Sequence, residues 1–192
     1  MLEVGCGTGL LLQRMSAFAK SAEGVDLSPG MLEHARERGL TVKEGSATAL
    51  PYEDERFDVA CSFKVLAHVR DIRTALAEMT RVVRPGGTVV AEFYNPHSLR
   101  ALVKRYGPAG RIGQQTTEAA VYTRFDSPAQ VDAMLPAGTR RIDQRGVRIL
   151  TPAAKMLRLP VLGTLMRGAE EQLCDSPLAR FGGFWIAAIR KR

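Results

Sequence analysis

The chain has 192 residues, 45% of them hydrophobic and 24% charged, the balance of an ordinary soluble globular protein with room for one domain and its own core. No apolar run approaches the ~20 residues that span a bilayer, and the first residues carry an acid and glycines where a secretory leader needs a basic flank and an apolar stretch. The three cysteines, Cys6, Cys61 and Cys174, are odd in number and far apart, and no pair of Cys or His stands at metal-ligand spacing, so neither a disulfide framework nor a structural metal is expected and the location expected is cytoplasmic.

Strands and helices alternate through residues 1–94. Leu2-Glu3-Val4 reads as the end of a strand, and Gly9 to Lys20 as a helix with Leu11, Met15 and Phe18 on one face. Glu23 to Leu27 is a second strand. Ser28 suits an N-cap with Pro29 at the first helical position, and Gly39 stops that helix. Thr41 to Glu44 and Phe57 to Phe63 are the third and fourth strands. Asp71 caps a helix whose stripe is Ile72, Ala75, Leu76, Met79, Val82 and Val83. Arg84-Pro85-Gly86-Gly87 ends it, and Thr88 to Tyr94 is the fifth strand. Later, Asn95 to Tyr106 reads as a helix, Ser127-Pro128 opens another that ends near Pro136, and Arg140 to Leu150 reads as a strand. Thr151-Pro152 caps a helical stretch that Pro160 breaks, and Phe184 to Arg190 is the final strand. Such alternation implies an α/β layer with a mostly parallel sheet. The expected organisation is a single domain over 1–192: a cofactor-binding half at 1–94 and a substrate-side half at 95–192 with a helical insertion at about 151–177.

Gly5-Cys6-Gly7-Thr8-Gly9 falls between a strand and a helix, where glycine lets the backbone turn sharply and approach a ligand. Asp26 ends the second strand, 17 residues after Gly9, and an acid there can accept both hydroxyls of a ribose. Loop plus acid points to a nucleoside-bearing cofactor, either a dinucleotide or S-adenosylmethionine. The spacing is G-x-G-x-G, and Leu10 occupies the position of the last glycine of the dinucleotide fingerprint G-x-G-x-x-G.

LEVGCGTG, VDLSPGML, GSATALPYEDERFDVACSF and RVVRPGGTVV together resemble the class I S-adenosylmethionine-dependent methyltransferases, in the flavour of the ubiquinone and menaquinone biosynthesis group. The resemblance covers residues 2–94. It implies a Rossmann-like, doubly wound α/β fold, with a seven-stranded sheet whose last strand, Phe184 to Arg190, is antiparallel and lies beside the fifth. It implies S-adenosylmethionine as cofactor, with Glu3, Gly5, Cys6 (through its backbone), Gly7 and Gly9 around the methionine part, Asp26 on the ribose and Leu27 on the adenine. Ser46 and Ala47 would line the adenine edge, Ser46 standing where the family commonly has Asp. Phe63 and Lys64 would lie near the reacting methyl. Relatives carry a helix ahead of the first strand, which here begins at Met1. An N-terminally truncated fold, its start lying upstream, is expected, with a fold that lacks the lid as the competing reading.

His68 follows the fourth strand and is the candidate general base, with packing beside Val69-Arg70-Asp71 as its alternative. Lys64 orients an anionic acceptor or is a solvated loop residue. Tyr94, Asn95, Tyr122 and Arg124 are candidate substrate contacts, each with a structural alternative. Cys61 reads as core and Cys174 as an incidental thiol. The place after the fourth strand reads SFKVLAHV, without the Pro-Pro-aromatic motif of amino-directed nucleic-acid methyltransferases, and no Pro-Cys occurs, which disfavours DNA. Charge is uneven: residues 1–97 hold 11 Lys/Arg and 13 Asp/Glu, while 98–192 hold 16 and 7. Three readings follow: methyl transfer to a small, apolar or quinone-like acceptor; methylation of RNA, aided by the basic half; and a non-catalytic protein that binds cofactor or a partner. The apolar, basic stretch Thr151 to Pro177 (Lys155, Met156, Leu157, Arg158, Leu159, Val161, Leu162, Leu165, Met166, Arg167) is a lid, a peripheral membrane contact or a core-packing pair. Oligomeric state has no signature.

Overall fold

The computed structural model describes residues 1–98, 101, 111–112, 116–117, 122–151 and 160–192. In chain order these form β1 (Leu2–Val4), α1 (Leu10–Met15), β2 (Glu23–Asp26), α2 (Pro29–Glu37), β3 (Thr41–Glu44), β4 (Phe57–Ser62), a 3-10 turn (Leu66–His68), α3 (Ile72–Val82), β5 (Val83–Tyr94), β6 (Arg111–Ile112), β7 (Thr116–Thr117), α4 (Pro128–Asp132), β8 (Thr139–Val147), α5 (Pro160–Leu173), a 3-10 turn (Pro177–Phe181) and β9 (Phe184–Lys191). One sheet has the order β3-β2-β1-β4-β5-β9-β8. Strands β1 to β5 pair in parallel, and β9 runs antiparallel between β5 and β8. This is the Rossmann-like doubly wound sheet that the motifs imply, with the final strand inserted beside the fifth. Strands β6 and β7 form a separate short pair.

The central strands bury Leu2, Val4, Val25 and Ala60 in the core, with Glu3 as a buried charge-bearing exception on β1. The same holds for the α3 stripe: Asp71 accepts the Thr74 N–H at 3.1 Å, and Ile72, Ala75, Leu76, Met79 and Val82 are all buried. They join Leu2, Val4, Val25, Ala60 and Phe93 in the main core, and Phe93 stacks on Trp185 of β9 at 4.8 Å. Burial of each such side chain contributes about 1.5–3 kcal/mol.

Several boundaries depart from the sequence reading. Helix α1 stops at Met15, and Phe18, expected on its buried face, is 91% exposed. Leu12 is the buried residue instead: Gly24 on β2 lacks a side chain, and a Cβ there would stand 2.8 Å from Leu12 Cδ2 and 2.7 Å from Cys6 Sγ. Val83 is not the last residue of the α3 stripe but the first of β5, pairing with Phe57. The helix ends at Val82, ahead of the expected stop at Arg84 to Gly87, and those residues instead loop out within β5, where the β4 register jumps from Phe57–Val83 to Val59–Thr88. The strand expected at 140–150 is Thr139–Val147, and the described part of the late helix runs from Pro160 to Leu173, while the stretch ahead of Pro160, where the sequence reading places a helix that Pro160 breaks, lies outside the described residues. Seven of the twelve residues of the expected Asn95–Tyr106 helix, and residues 152–159 of the late insertion, lie outside the described residues.

Candidate active site

The chain winds outward from β1 to β3 and then returns to β4, so the order reverses between β1 and β4, where open α/β sheets bind ligands. A cavity of about 390 Å³ opens there. Its walls come from four strand ends: Gly5 after β1, Asp26 and Leu27 after β2, Ser46 to Thr48 after β3, and Val65 with His68 to Asp71 after β4.

The glycine loop is held from two sides. Val25 O accepts the Gly5 and Cys6 N–H groups at 2.7 and 3.1 Å. Asp26 accepts the Gly7 N–H at 2.8 Å through Oδ2 and the Ser28 N–H at 2.9 Å through Oδ1. A carboxylate has about four acceptor sites, so each oxygen retains capacity for a further donor in the cleft. Gly5 has φ +77°, and a Cβ on it would stand 2.2 Å from Val65 Cγ2. Gly9, expected near the cofactor, has a packing reason of its own: a Cβ there would meet Leu40 Cδ1 at 2.3 Å. Leu27 is 68% exposed at the rim. Ser46 hydrogen-bonds Thr48 through its hydroxyl at 2.8 Å and accepts the Thr48 N–H, so its polar atom serves its own loop, with Ala47 buried beside it.

Glu3 lies beneath the loop, 3% exposed. The Leu12 N–H donates to its carboxyl, while Oε2 has no hydrogen-bond partner. Burial pushes this carboxyl up to about 7, against the Leu12 N–H and with a further push from the Asp26 charge. Cys6 and Cys61 are pushed up to about 12, first by burial, so both thiols stay uncharged and unreactive at neutral pH.

His68 lines the cleft, with its ring edge-on to Tyr94 at 5.9 Å. Its Nδ1 lies 2.8 Å from Tyr122 O. A carbonyl only accepts, so Nδ1 carries the hydrogen and Nε2 of the neutral ring holds the lone pair. Phe63 and Lys64 follow the end of β4 at Ser62 and do not line this cavity; Lys64 adopts φ +61°, turning the chain so that Val65 forms the wall. Tyr94 is buried among Ala67, Phe125, Val147 and Phe184. Asn95 is also buried: its amide donates to Arg180 O and Gly182 O, and its oxygen accepts the His97 N–H, so the side chain ties β5 to the turn before β9. Tyr122 is partly exposed under the Arg70 guanidinium, 4.7 Å from the ring centre. Arg124 is spent in a bidentate pair with Asp126 at 2.7 and 2.8 Å. The cleft thus gathers Gly5, Asp26, Leu27, Ser46, Ala47 and His68 of the expected residues. It adds Thr48, from the GSATALP stretch, and Val65 and Arg70, which fall in none of the motifs that carry the resemblance.

Residues 2–91 match the family described as methyltransferase domain. The ubiquinone biosynthesis O-methyltransferase of Methylococcus capsulatus is 38% identical over 107 residues, which is 52% of this chain and 45% of that protein. The malonyl-[acyl-carrier protein] O-methyltransferase of Serratia marcescens is 31% identical over 173 residues, 88% of this chain and 62% of that protein. The chain therefore spans less than two thirds of either relative. Among solved structures, a SAM-dependent methyltransferase of Thermotoga maritima has a TM-score of 0.69 at 23% identity, covering 100% of this chain and 81% of that one. An S-adenosylmethionine-dependent methyltransferase of Mesorhizobium loti has a TM-score of 0.67 at 20% identity, covering 99% and 89%. The structures share the fold, and residues 2–91 of this chain form a methyltransferase domain of the class I S-adenosylmethionine-dependent kind.

Proposed function

We propose that the protein transfers a methyl group from S-adenosylmethionine to a small-molecule acceptor. The observation that carries the reading is the cleft at the β1/β4 reversal, in which the Asp26 carboxylate is fixed by two backbone amides with acceptor capacity to spare. The residues fit the cofactor: an acid for the ribose hydroxyls, exposed Leu27 for the adenine face, and a buried, half-partnered Glu3 carboxyl beneath the loop. S-adenosylmethionine, when bound, supplies an electrophilic methyl on a positively charged sulfur. The protein then contributes mainly position, which is worth about 7–11 kcal/mol for well-oriented partners.

Asp26 orients the nucleoside and Leu27 excludes water from its face. His68 Nε2 would take the proton of an acceptor O–H or N–H, so that the acceptor atom is freed to receive the methyl group that the cofactor supplies. The Tyr122 carbonyl, by holding Nδ1–H, keeps the ring in the tautomer this requires. The relatives named for ubiquinone biosynthesis support an apolar, quinone-like acceptor as the narrower reading. RNA is less favoured, because Arg124, Arg141 and Arg145 of the basic half are each paired with an aspartate. Calorimetric titration with S-adenosylhomocysteine tests the reading. Binding by the wild type that is lost in Asp26→Ala is expected, and a folded wild type that does not bind would refute it.

A further inference from the structure

We propose that Glu3 makes cofactor capture proton-linked: its carboxyl is protonated while the cleft is empty and releases that proton to solvent when the cationic methionine part of the cofactor, or of its demethylated product, enters. The inference rests on the cofactor reading above and concerns this chain's own carboxyl.

The geometry leads to it directly. Glu3 sits at the centre of the sheet, in register with Gly24 of β2 and Cys61 of β4, and is 3% exposed. A carboxylate there would hold one oxygen against the Leu12 N–H and leave Oε2 desolvated without a donor. A neutral acid avoids most of that cost. No neighbour relieves it. From β2 the facing charge is the Asp26 carboxylate, which repels; the loop presents the uncharged Cys6 thiol, and β4 the uncharged Cys61 thiol. The Met1 amino group acts on Cys61 and donates to Ser21 O. Among the described residues no salt bridge includes Glu3.

Val4 and Gly5, the next residues along, line the cleft, so a ligand cation lodged there is the charge that this carboxyl lacks. The balance is simple. The Glu3 O–H bond breaks, the proton passes to buffer, and the ligand's ammonium keeps its own protons.

The test is calorimetric titration of the full chain with S-adenosylhomocysteine, in pairs of buffers that differ in protonation enthalpy, at pH 6 and pH 8. Release approaching one proton is expected at pH 6 and almost none at pH 8, with affinity rising about tenfold between them. Glu3→Gln should remove both the buffer dependence and the pH dependence. Binding whose heat at pH 6 is independent of buffer overturns the linkage while leaving the cofactor reading intact, and so does release that survives in Glu3→Gln. A folded wild type that does not bind at pH 8 overturns the cofactor reading and this inference with it. Should Glu3→Gln fail to fold, His68→Gln takes its place, since His68 is the imidazole that lines the cleft: retained release supports Glu3, and lost release overturns it.

Discussion

Asp26 holds the Gly7 and Ser28 amides with its two oxygens, so replacing it acts on loop and cleft together. Asp26→Ala is expected to abolish S-adenosylhomocysteine binding and to cost about 1–3 kcal/mol of stability from two amides left without partners, measured by calorimetry and urea unfolding. Glu3 acts in the opposite sense. Its folded value, about 7, lies above the ordinary 4.5, so the folded protein holds the proton through that window while the unfolded chain releases it. The stability this contributes is complete below pH 4.5 and is lost as pH rises through about 7. Glu3→Gln, which cannot ionise, should be more stable than the wild type at pH 8 by up to about 3 kcal/mol, with the advantage gone at pH 4.5. Urea unfolding at the two pH values checks it. For His68, the chemistry predicts a selective loss: His68→Gln should lower kcat about 100-fold once an acceptor is in hand, with S-adenosylhomocysteine affinity little changed.

At the scale of elements, single side chains fasten the less regular second half to the sheet. Glu170 on α5 accepts the N–H groups of Ile149, Leu150 and Thr151 and the Thr151 hydroxyl, all at 2.7–2.9 Å. The half-buried Ile149 and Thr151 donors lose their acceptor once the carboxylate is gone, whereas the exposed Leu150 N–H can turn to water. Glu170→Ala is expected to lower stability by about 1–3 kcal/mol and to raise amide exchange at 149–151, with less effect in Glu170→Gln. Arg81 plays a similar part for α3, donating to Leu50 O, Tyr52 O, Asp54 and Glu78, and these contacts hold Glu78 below the usual carboxylate range. In this way the loop leading into β4 is pinned to the helix that follows β4. The α4 start is built locally, by a capping box in which Ser127 and Gln130 exchange bonds.

For the whole molecule, the informative probe is built in. Trp185 is the one tryptophan of the chain. It is 4% exposed, stacks on Phe93, and donates its indole N–H to Asp126 O at 2.9 Å. Its strand, β9, is last in sequence yet lies between β5 and β8, so the sheet is complete only when the final residues have found their place. Trp185 emission should therefore be blue-shifted in the native state and should report the same urea midpoint as far-UV circular dichroism. An earlier fluorescence midpoint would mean that β8 and β9 detach before the motif-bearing half unfolds.

The sequence by itself determined the order of strands and helices through β5, the glycine loop followed by Asp26, and the helix starts at Ser28, Asp71 and Ser127, while the antiparallel placing of Phe184 to Arg190 came only with the family resemblance. These features are local: a cap needs one side chain three residues from an amide, and a strand end beside a glycine run needs nothing distant. Tertiary structure alone decided which face of α1 is buried, because Leu12 is chosen by the missing side chain of Gly24 and not by helical period. It alone turned Asn95 and Arg124 away from ligand roles, since their partners, Gly182 and Arg180 for one and Asp126 for the other, satisfy them within the fold. It alone brought Val65, Thr48 and Arg70 to the cleft and left Glu3 with an unpartnered oxygen in the sheet's centre. Short-range order is written along the chain, whereas burial, and the hydrogen-bond deficits that burial makes costly, exist only after distant segments have closed over one another.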